Sequence, residues 1–181
     1  LIPYIDSSYS TAPFRILSGH SLSGLFATKL LLDSSNEFNA FLIMDPALWW
    51  NNMEILQISE LLIKQNQKSK KKLFLSIANS LPADITSLDK GLNDTTNATL
   101  GIRSIFNFKD LLKKTNSDKL IWKSQYYAEE SHGTVPFKST YDGLKYIFNF
   151  YKRPSFQKLT DSYVAEVEKL LKAKEADLME V

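Results

Sequence analysis

The fold is decided by the stretch FRILSGHSLSG, residues Phe14–Gly24, which an apolar run, Leu25–Leu32, follows. The β-compatible residues before Gly19 predict a strand, and the apolar run predicts a helix. Small residues between them permit a tight turn with Ser21 at its tip. A strand, a sharp turn and a helix in this order are typical of a nucleophile elbow, where the serine hydroxyl lies in front of a helix N-terminus.

The motif departs from the usual Gly-x-Ser-x-Gly pattern. Ser23 occupies the last position, and Gly24 follows one place later. The usual glycine allows the strand and the helix to approach closely, and serine is the next smallest polar residue. The six residues Gly19–Gly24 alone are equally compatible with catalysis and with a plain strand–turn–helix unit.

The candidate general base lies far downstream of Ser21 in the sequence. The chain has two histidines, His20 and His132. Because His20 precedes Ser21 directly, we expect its side chain to point away from the serine hydroxyl. His132 lies in a glycine-containing loop, residues 129–136, after the alternating run Leu120–Tyr127, which predicts a strand. Hydrolases of this chain order keep their general base in such a loop, so His132 is the predicted base.

A base of this kind needs a carboxylate to fix its tautomer. The candidates are Asp45, Asp84, Glu129 and Glu130. Asp45 ends an apolar strand, so it is the acid expected to be held rigidly beside the serine. Asp84 lies in a loose loop after the next strand, the commoner place for this acid. A glutamate two or three residues before the histidine usually points elsewhere.

Strands and helices alternate along the chain. The predicted strands are 14–18, 39–44, 72–78 and 120–127, and the predicted helices are 22–33, 53–65, 100–114 and 137–151. This alternation predicts an α/β fold, a mostly parallel sheet with helices on both faces. Active sites of such sheets gather at the C-terminal ends of the strands. Ser21, Asp45, Asp84 and His132 all fall at such ends.

Four stretches carry a family resemblance: Gly19–Phe26, Met44–Trp50, Leu73–Asn79 and Glu129–Pro136. They resemble the Putative esterase family of α/β-hydrolases, in particular enterochelin-esterase-like serine hydrolases. The resemblance covers most of residues 1–152 and implies that Ser21 is the nucleophile and His132 the base. Many relatives carry a serine in place of Asp45, whereas the Asp-Pro-Ala turn also resembles the acid-bearing turn of pancreatic-type lipases. A Ser–His dyad therefore stays open beside the triad.

The expected activity is hydrolysis of carboxylic esters through an acyl-enzyme, with a small-molecule ester as substrate and no cofactor. The Leu22 N–H is the expected oxyanion donor. Trp49 and Trp50 are expected near the mouth of the site, one of them in the core. By resemblance, esters of catecholate siderophores and other bulky carboxylic esters are candidate substrates. The alternative is a catalytically inactive α/β-hydrolase-like interaction module.

Composition narrows the classes of function. The net charge of +2 is too small to indicate nucleic-acid binding, and the basic run Lys68–Lys72, without interleaved aromatics, predicts a solvated connection. The chain has no cysteine, and its two histidines lack a His-x-x-x-His spacing, which argues against a protein-held metal. No apolar stretch approaches the roughly 20 residues of a membrane span.

The ends of the chain give two expectations about domains. Residues 1–13 have room for one short helix, so residues 1–152 are expected to be the C-terminal part of an α/β-hydrolase domain that lacks its N-terminal strands. One oxyanion donor normally comes from that missing part, which predicts low or absent activity of this chain alone. Residues 153–181 predict an amphipathic helix, packed on the body or opening a helical extension.

Overall fold

The structure, a computed structural model, describes residues 1–33, 35–65, 70–150 and 156–179. The strands of this part are β1 (Ile16–His20), β2 (Ala40–Met44), β3 (Lys71–Ala78) and β4 (Leu120–Tyr127). The helices are α1 (Ile2–Ser8), α2 (Ser21–Leu32), α3 (Trp50–Gln65), α4 (Leu88–Asn93), α5 (Leu100–Thr115), α6 (Val135–Ile147) and α7 (Phe156–Met179). A 3₁₀ turn, Asn97–Thr99, lies between α4 and α5.

The four strands form one parallel sheet in the order β1-β2-β3-β4. Strand order therefore follows chain order, and each connection carries at least one helix, as parallel pairing requires. The register pairs His20 with Met44, Met44 with Ser76, and Ser76 with Gln125. This alignment brings the C-terminal ends of β1, β2 and β3 to one edge of the sheet.

Helices cover both faces of the sheet. Every residue of β2 is buried, as expected of a parallel strand covered on two sides. Phe41 and Ile43 belong to a large apolar cluster that includes buried residues of α2, α3 and α5. Ala40, Leu42 and Met44 belong to a smaller cluster with Ile147 of α6. The predicted α/β architecture is thus confirmed.

Element boundaries differ from the sequence predictions in a few places. Helix α4 was not predicted, because six residues that include Gly91 give a weak helical pattern. Helix α6 begins at Val135 and ends at Ile147, whereas the prediction placed it at 137–151. The proline after Val135 suits the first turn of a helix, which explains the earlier start.

The start of α3 departs from helical geometry. Asn51, Asn52 and Met53 have φ values of 49°, 54° and 58°, so the chain makes a left-handed turn before the regular helix. Asparagine tolerates this region better than other residues with side chains. The prediction started the helix at Met53, but Met53 still belongs to the left-handed turn, so the regular part of α3 begins one residue later.

The chain divides into two compact units, Leu1–Phe148 and Asn149–Val181. The second contains α7, in which Tyr163, Val167 and Leu170 recur at helical spacing. The packing of this helix on the body stays a prediction, as does the boundary at residue 152. The predicted solvated connection at Lys68–Lys72 falls in part on residues 68 and 69, outside the described residues.

Across the described ranges, we find no helix with the length and apolar character needed to cross a bilayer.

Candidate active site

The site begins at the turn between β1 and α2. Ser21 has a φ of 57°, a left-handed conformation that costs a residue with a side chain free energy and is common at functional sites. The turn is tight, because a Cβ on Gly19 would lie 2.3 Å from the backbone oxygen of Ser23. Only glycine therefore fits at the first position of the motif.

Ser23 and Gly24 explain why the motif departs from the usual pattern. The Oγ of Ser23 accepts a hydrogen bond from the His20 N–H at 2.9 Å and donates one to the His20 carbonyl at 2.7 Å. These bonds hold the turn closed. A Cβ on Gly24 would lie 3.0 Å from the Cα of Pro46, so the close approach that needs glycine occurs one position later than usual.

Asp45 lies in the turn that follows β2 and is bound tightly. Its side chain is 4% exposed, and its φ is 39°. Its Oδ1 accepts a hydrogen bond from the Ala78 N–H at 2.9 Å, and its own N–H donates to the Ser76 carbonyl at 2.9 Å. The N–H of Ala47 donates to the carbonyl of Ser21 at 2.9 Å, which joins this turn to the elbow.

His132 meets Asp45 at the end of the sheet. The Nδ1 of His132 lies 2.6 Å from the Oδ2 of Asp45, although 87 residues separate them in the chain. A carboxylate is an acceptor, so Nδ1 carries the hydrogen and Nε2 is left with its lone pair. The His132 side chain is half exposed, so Nε2 has access to a substrate. Chemically, this arrangement can serve as an oriented base with a buried acid behind it.

The three predicted catalytic residues line one cavity. Ser21, Asp45 and His132 all line a cavity of about 210 Å³ at the C-terminal edge of the sheet. The other lining residues are Pro46, Ala47, Trp49, Ser80, Gly101 and Ile105. A hydroxyl on a strained turn, an imidazole and a buried carboxylate in one cavity can together transfer an acyl group.

The other acids considered from the sequence are elsewhere. Asp84 lies in an exposed turn and does not line the cavity. The Glu130 carboxylate faces Lys138, with Oε1 4.0 Å from Nζ, and Glu129 is exposed. Of the four acids, Asp45 is the one that hydrogen-bonds to His132.

The expectation that one of the two tryptophans is a core residue is wrong. Trp49 is 42% exposed and Trp50 is 51% exposed. Their rings lie 5.7 Å apart, but Trp49 lines the cavity with Ser21, whereas Trp50 lines a separate groove beside Leu22 and Phe26.

Sequence reasoning missed the role of His20. Its Nε2 lies 2.9 Å from the carbonyl oxygen of His132, and the two imidazole rings are 4.5 Å apart. Burial lowers the pKa of His20, and the nearby His132 lowers it further. No pattern in the sequence signals this contact, beyond the fact that the chain has two histidines.

No three His, Asp or Glu side chains are grouped closely enough to hold a metal ion in the part of the chain that the structure describes.

Solved structures share this fold. An IroE-like serine hydrolase from Shewanella oneidensis is 28% identical, with a TM-score of 0.71, and the match covers 92% of this chain and 51% of that one. The BES protein from Bacillus cereus is also 28% identical, with a TM-score of 0.64, and the match covers 80% of this chain and 49% of that one. The chain thus spans about half the length of these structures.

Sequence comparison points the same way. A siderophore enterobactin esterase from Emericella nidulans is 45% identical over 40 residues, which is 22% of this chain and 13% of that protein. The family model described as Putative esterase matches residues 1–134, which include the elbow, Asp45 and His132. The chain therefore belongs to the Putative esterase family.

Proposed function

We propose that this chain carries the catalytic residues of a serine esterase that cleaves carboxylic esters. The observation that carries the proposal is the short hydrogen bond from His132 Nδ1 to the buried carboxylate of Asp45, in the cavity that Ser21 also lines. Family membership and the 28% identity to an IroE-like serine hydrolase support the same reaction class. We assign Ser21 as nucleophile, His132 as general base and Asp45 as the acid that orients His132.

The proposed reaction has two halves. Ser21 Oγ attacks the ester carbonyl carbon while His132 Nε2 takes the hydroxyl proton, and Asp45 stabilises the resulting imidazolium. Collapse of the tetrahedral intermediate breaks the ester bond, and the imidazolium gives its proton to the leaving alcohol. A water molecule, deprotonated by His132, then attacks the acyl-serine, which releases the acid and restores Ser21.

Negative charge develops on the carbonyl oxygen during both attacks. The N–H of Leu22 belongs to the first turn of α2 and has no partner within the helix. We assign it as one oxyanion donor, aided by the dipole of α2.

For the substrate class we propose bulky esters, of which siderophore esters are the leading candidates. Trp49 supplies an aromatic wall beside Ser21, and such a wall suits aryl or large acyl groups. The fungal relative is described as an enterobactin esterase, so enterobactin is the natural first compound to assay against a simple p-nitrophenyl ester.

A fluorophosphonate probe tests the proposal, because it reacts with activated serines. We expect the chain to be labelled at Ser21, with labelling abolished in Ser21→Ala. Ser18→Ala is the matched control, since Ser18 is an exposed serine on β1 three residues earlier and does not line the cavity. Mass spectrometry of the labelled peptide identifies the modified residue.

Two outcomes would contradict the proposal. Labelling that survives Ser21→Ala would assign the reactivity to another residue. A complete absence of labelling, also in a longer chain that supplies the second oxyanion donor, would favour the inactive interaction module.

A further inference from the structure

We propose that His20 is a positioning residue. Its Nε2–H holds the backbone of His132 in the position from which the His132 imidazole reaches Ser21. This inference rests on the proposed function, and it adds a residue to which that function assigns no role. It explains what a histidine does directly before the nucleophile.

The first step is the direction of the hydrogen bond. His20 Nε2 lies 2.9 Å from the carbonyl oxygen of His132, across 112 residues of sequence. A carbonyl oxygen only accepts, so the hydrogen is on His20 Nε2. The ring of His20 also lies against the ring of His132, with centroids 4.5 Å apart and an angle of 36° between the planes.

The second step is the rigidity of His20. It ends β1, pairs with Met44 in the register of the sheet, and is bound at both its N–H and its carbonyl by Ser23 Oγ. Its side chain therefore extends from the best-fixed part of the elbow. Because Ser21 is the next residue, the same anchor sets the position of the nucleophile.

The third step is the exposure of the loop that His20 contacts. Residues 131–134 are exposed, and Gly133 has no side chain to pack. A Cβ there would meet only Ser131 Oγ, at 4.0 Å. The loop is bound before His132 by the Asn79 N–H, which donates to the Glu130 carbonyl at 2.8 Å. After His132, the N–H groups of Thr134 and Val135 donate to the Ser131 carbonyl at 3.2 and 3.0 Å and close the turn. The bond from His20 adds a contact from this turn to the elbow, at the carbonyl of His132 itself.

Two anchors thus act on one residue. Asp45 sets the rotation of the His132 ring through Nδ1, and His20 sets the place of the backbone that carries this ring. Loss of the second anchor leaves Asp45 in place but lets the backbone of His132 shift, so that the imidazole moves relative to both Asp45 and Ser21. Displacements of about 1 Å at a reacting centre reduce rates by about 100-fold.

Two variants separate the hydrogen bond from the ring. His20→Phe keeps a ring of similar size and removes the N–H, whereas His20→Gln keeps a side-chain N–H donor. We expect the rate constant of fluorophosphonate labelling at Ser21 to fall about 10- to 100-fold in His20→Phe and to recover to within a few-fold of wild type in His20→Gln. Glu130→Gln is the control, since it alters the same loop at a side chain that faces Lys138, and it should label like wild type.

A second readout does not depend on activity. The proton between His132 Nδ1 and Asp45 gives a low-field resonance in NMR spectra, and we expect it to exchange faster with water in His20→Phe than in wild type or His20→Gln. Circular dichroism confirms that each variant is folded.

Labelling of His20→Phe at the wild-type rate would overturn the inference. If neither the wild-type chain nor a longer chain that supplies the second oxyanion donor is labelled, the proposed function fails, while this inference is still decided by NMR. An unchanged exchange rate in His20→Phe would then refute it, and faster exchange with recovery in His20→Gln would support it.

Discussion

At the scale of single residues, Asp45 combines a strained backbone with a carboxylate that is bound on both oxygens. Its φ of 39° is unfavourable for most residues with side chains but is tolerated by aspartate and asparagine. Asparagine can therefore replace it without disturbing the turn, which makes the role of the charge testable.

We predict that Asp45→Asn lowers the labelling rate at Ser21, and the hydrolysis of a p-nitrophenyl ester, by about 10³- to 10⁴-fold. The amide can donate to His132 Nδ1, which would move the hydrogen to Nε2 and remove the base. Asp84→Asn is the control and should change either rate little, because Asp84 lies in an exposed turn outside the cavity. The opposite ranking would move the acid to Asp84, and a rate unchanged in Asp45→Asn would indicate a Ser–His dyad.

His20 gives a second prediction, which concerns how the free energy of unfolding depends on pH. Burial and His132 lower its pKa below the ordinary 6.5, against smaller raising effects of the His132 carbonyl and of Asp45. As the pH falls, His20 takes up a proton in the unfolded chain before it does so in the folded chain. The contribution of neutral His20 to the free energy of unfolding is therefore complete above pH 6.5, and it declines as the pH falls towards the pKa of His20 in the folded chain.

We expect His20→Gln, which cannot titrate, to show a shallower loss of stability on acidification. Urea denaturation of wild type and variant at pH 7.5 and pH 5.5 measures the difference. Parallel losses in the two proteins would contradict this prediction.

Residue-level reasoning selected Ser21, His132 and Asp45 because each follows a strand and has a chemically distinctive side chain, and the three line one cavity. Their catalytic roles stay a proposal. It missed His20, because a contact across 112 residues with a backbone carbonyl leaves no mark on the pattern of side chains. It also misjudged the tryptophans, since the hydrophobicity of a side chain does not by itself show whether that side chain is buried.

At the scale of elements, the packing of α6 on the sheet depends on a glycine. A Cβ on Gly143 would lie 2.4 Å from Leu42 Cδ1 and 3.1 Å from Phe74 Cδ1. These two side chains are buried on β2 and β3, so the neighbours have little room to move.

We predict that Gly143→Ala destabilises the fold by about 1–3 kcal/mol through this overpacking. Gly101→Ala in α5 is the matched variant, because a Cβ there would meet only Trp49 Cδ1 at 3.7 Å. It should leave stability unchanged or raise it by up to about 1 kcal/mol, as alanine favours helix. Chemical denaturation of both variants checks the ranking, and equal effects would show that α6 can shift outwards.

Long, strongly patterned elements could be predicted from sequence. Strand β4 agrees with its prediction at both ends, and β3 differs by one residue. Helix α4 could not be predicted, since a six-residue helix with a glycine is stabilised by its neighbours rather than by its own propensity. The order of strands in the sheet also had no local signal, because it is decided by which strands pair.

At the scale of the whole molecule, the first compact unit, Leu1–Phe148, contains the four-stranded sheet, the large and the smaller apolar cluster and the candidate site. We predict that a chain of residues 1–150 keeps a cooperative thermal transition and Ser21-dependent labelling. Differential scanning calorimetry and the fluorophosphonate probe measure the two properties. A loss of the transition would show that residues 151–181 are required for folding.

The strand order β1-β2-β3-β4 has a consequence for biosynthesis. A chain that leaves the ribosome from its N-terminus can add these strands to the growing sheet in the order of translation. Because Ser76 and Ala78 of β3 hold Asp45, the serine and the aspartate would then be in place one strand before the histidine arrives. Under the proposed roles, we expect the nascent polypeptide to lack a working base until β4 docks.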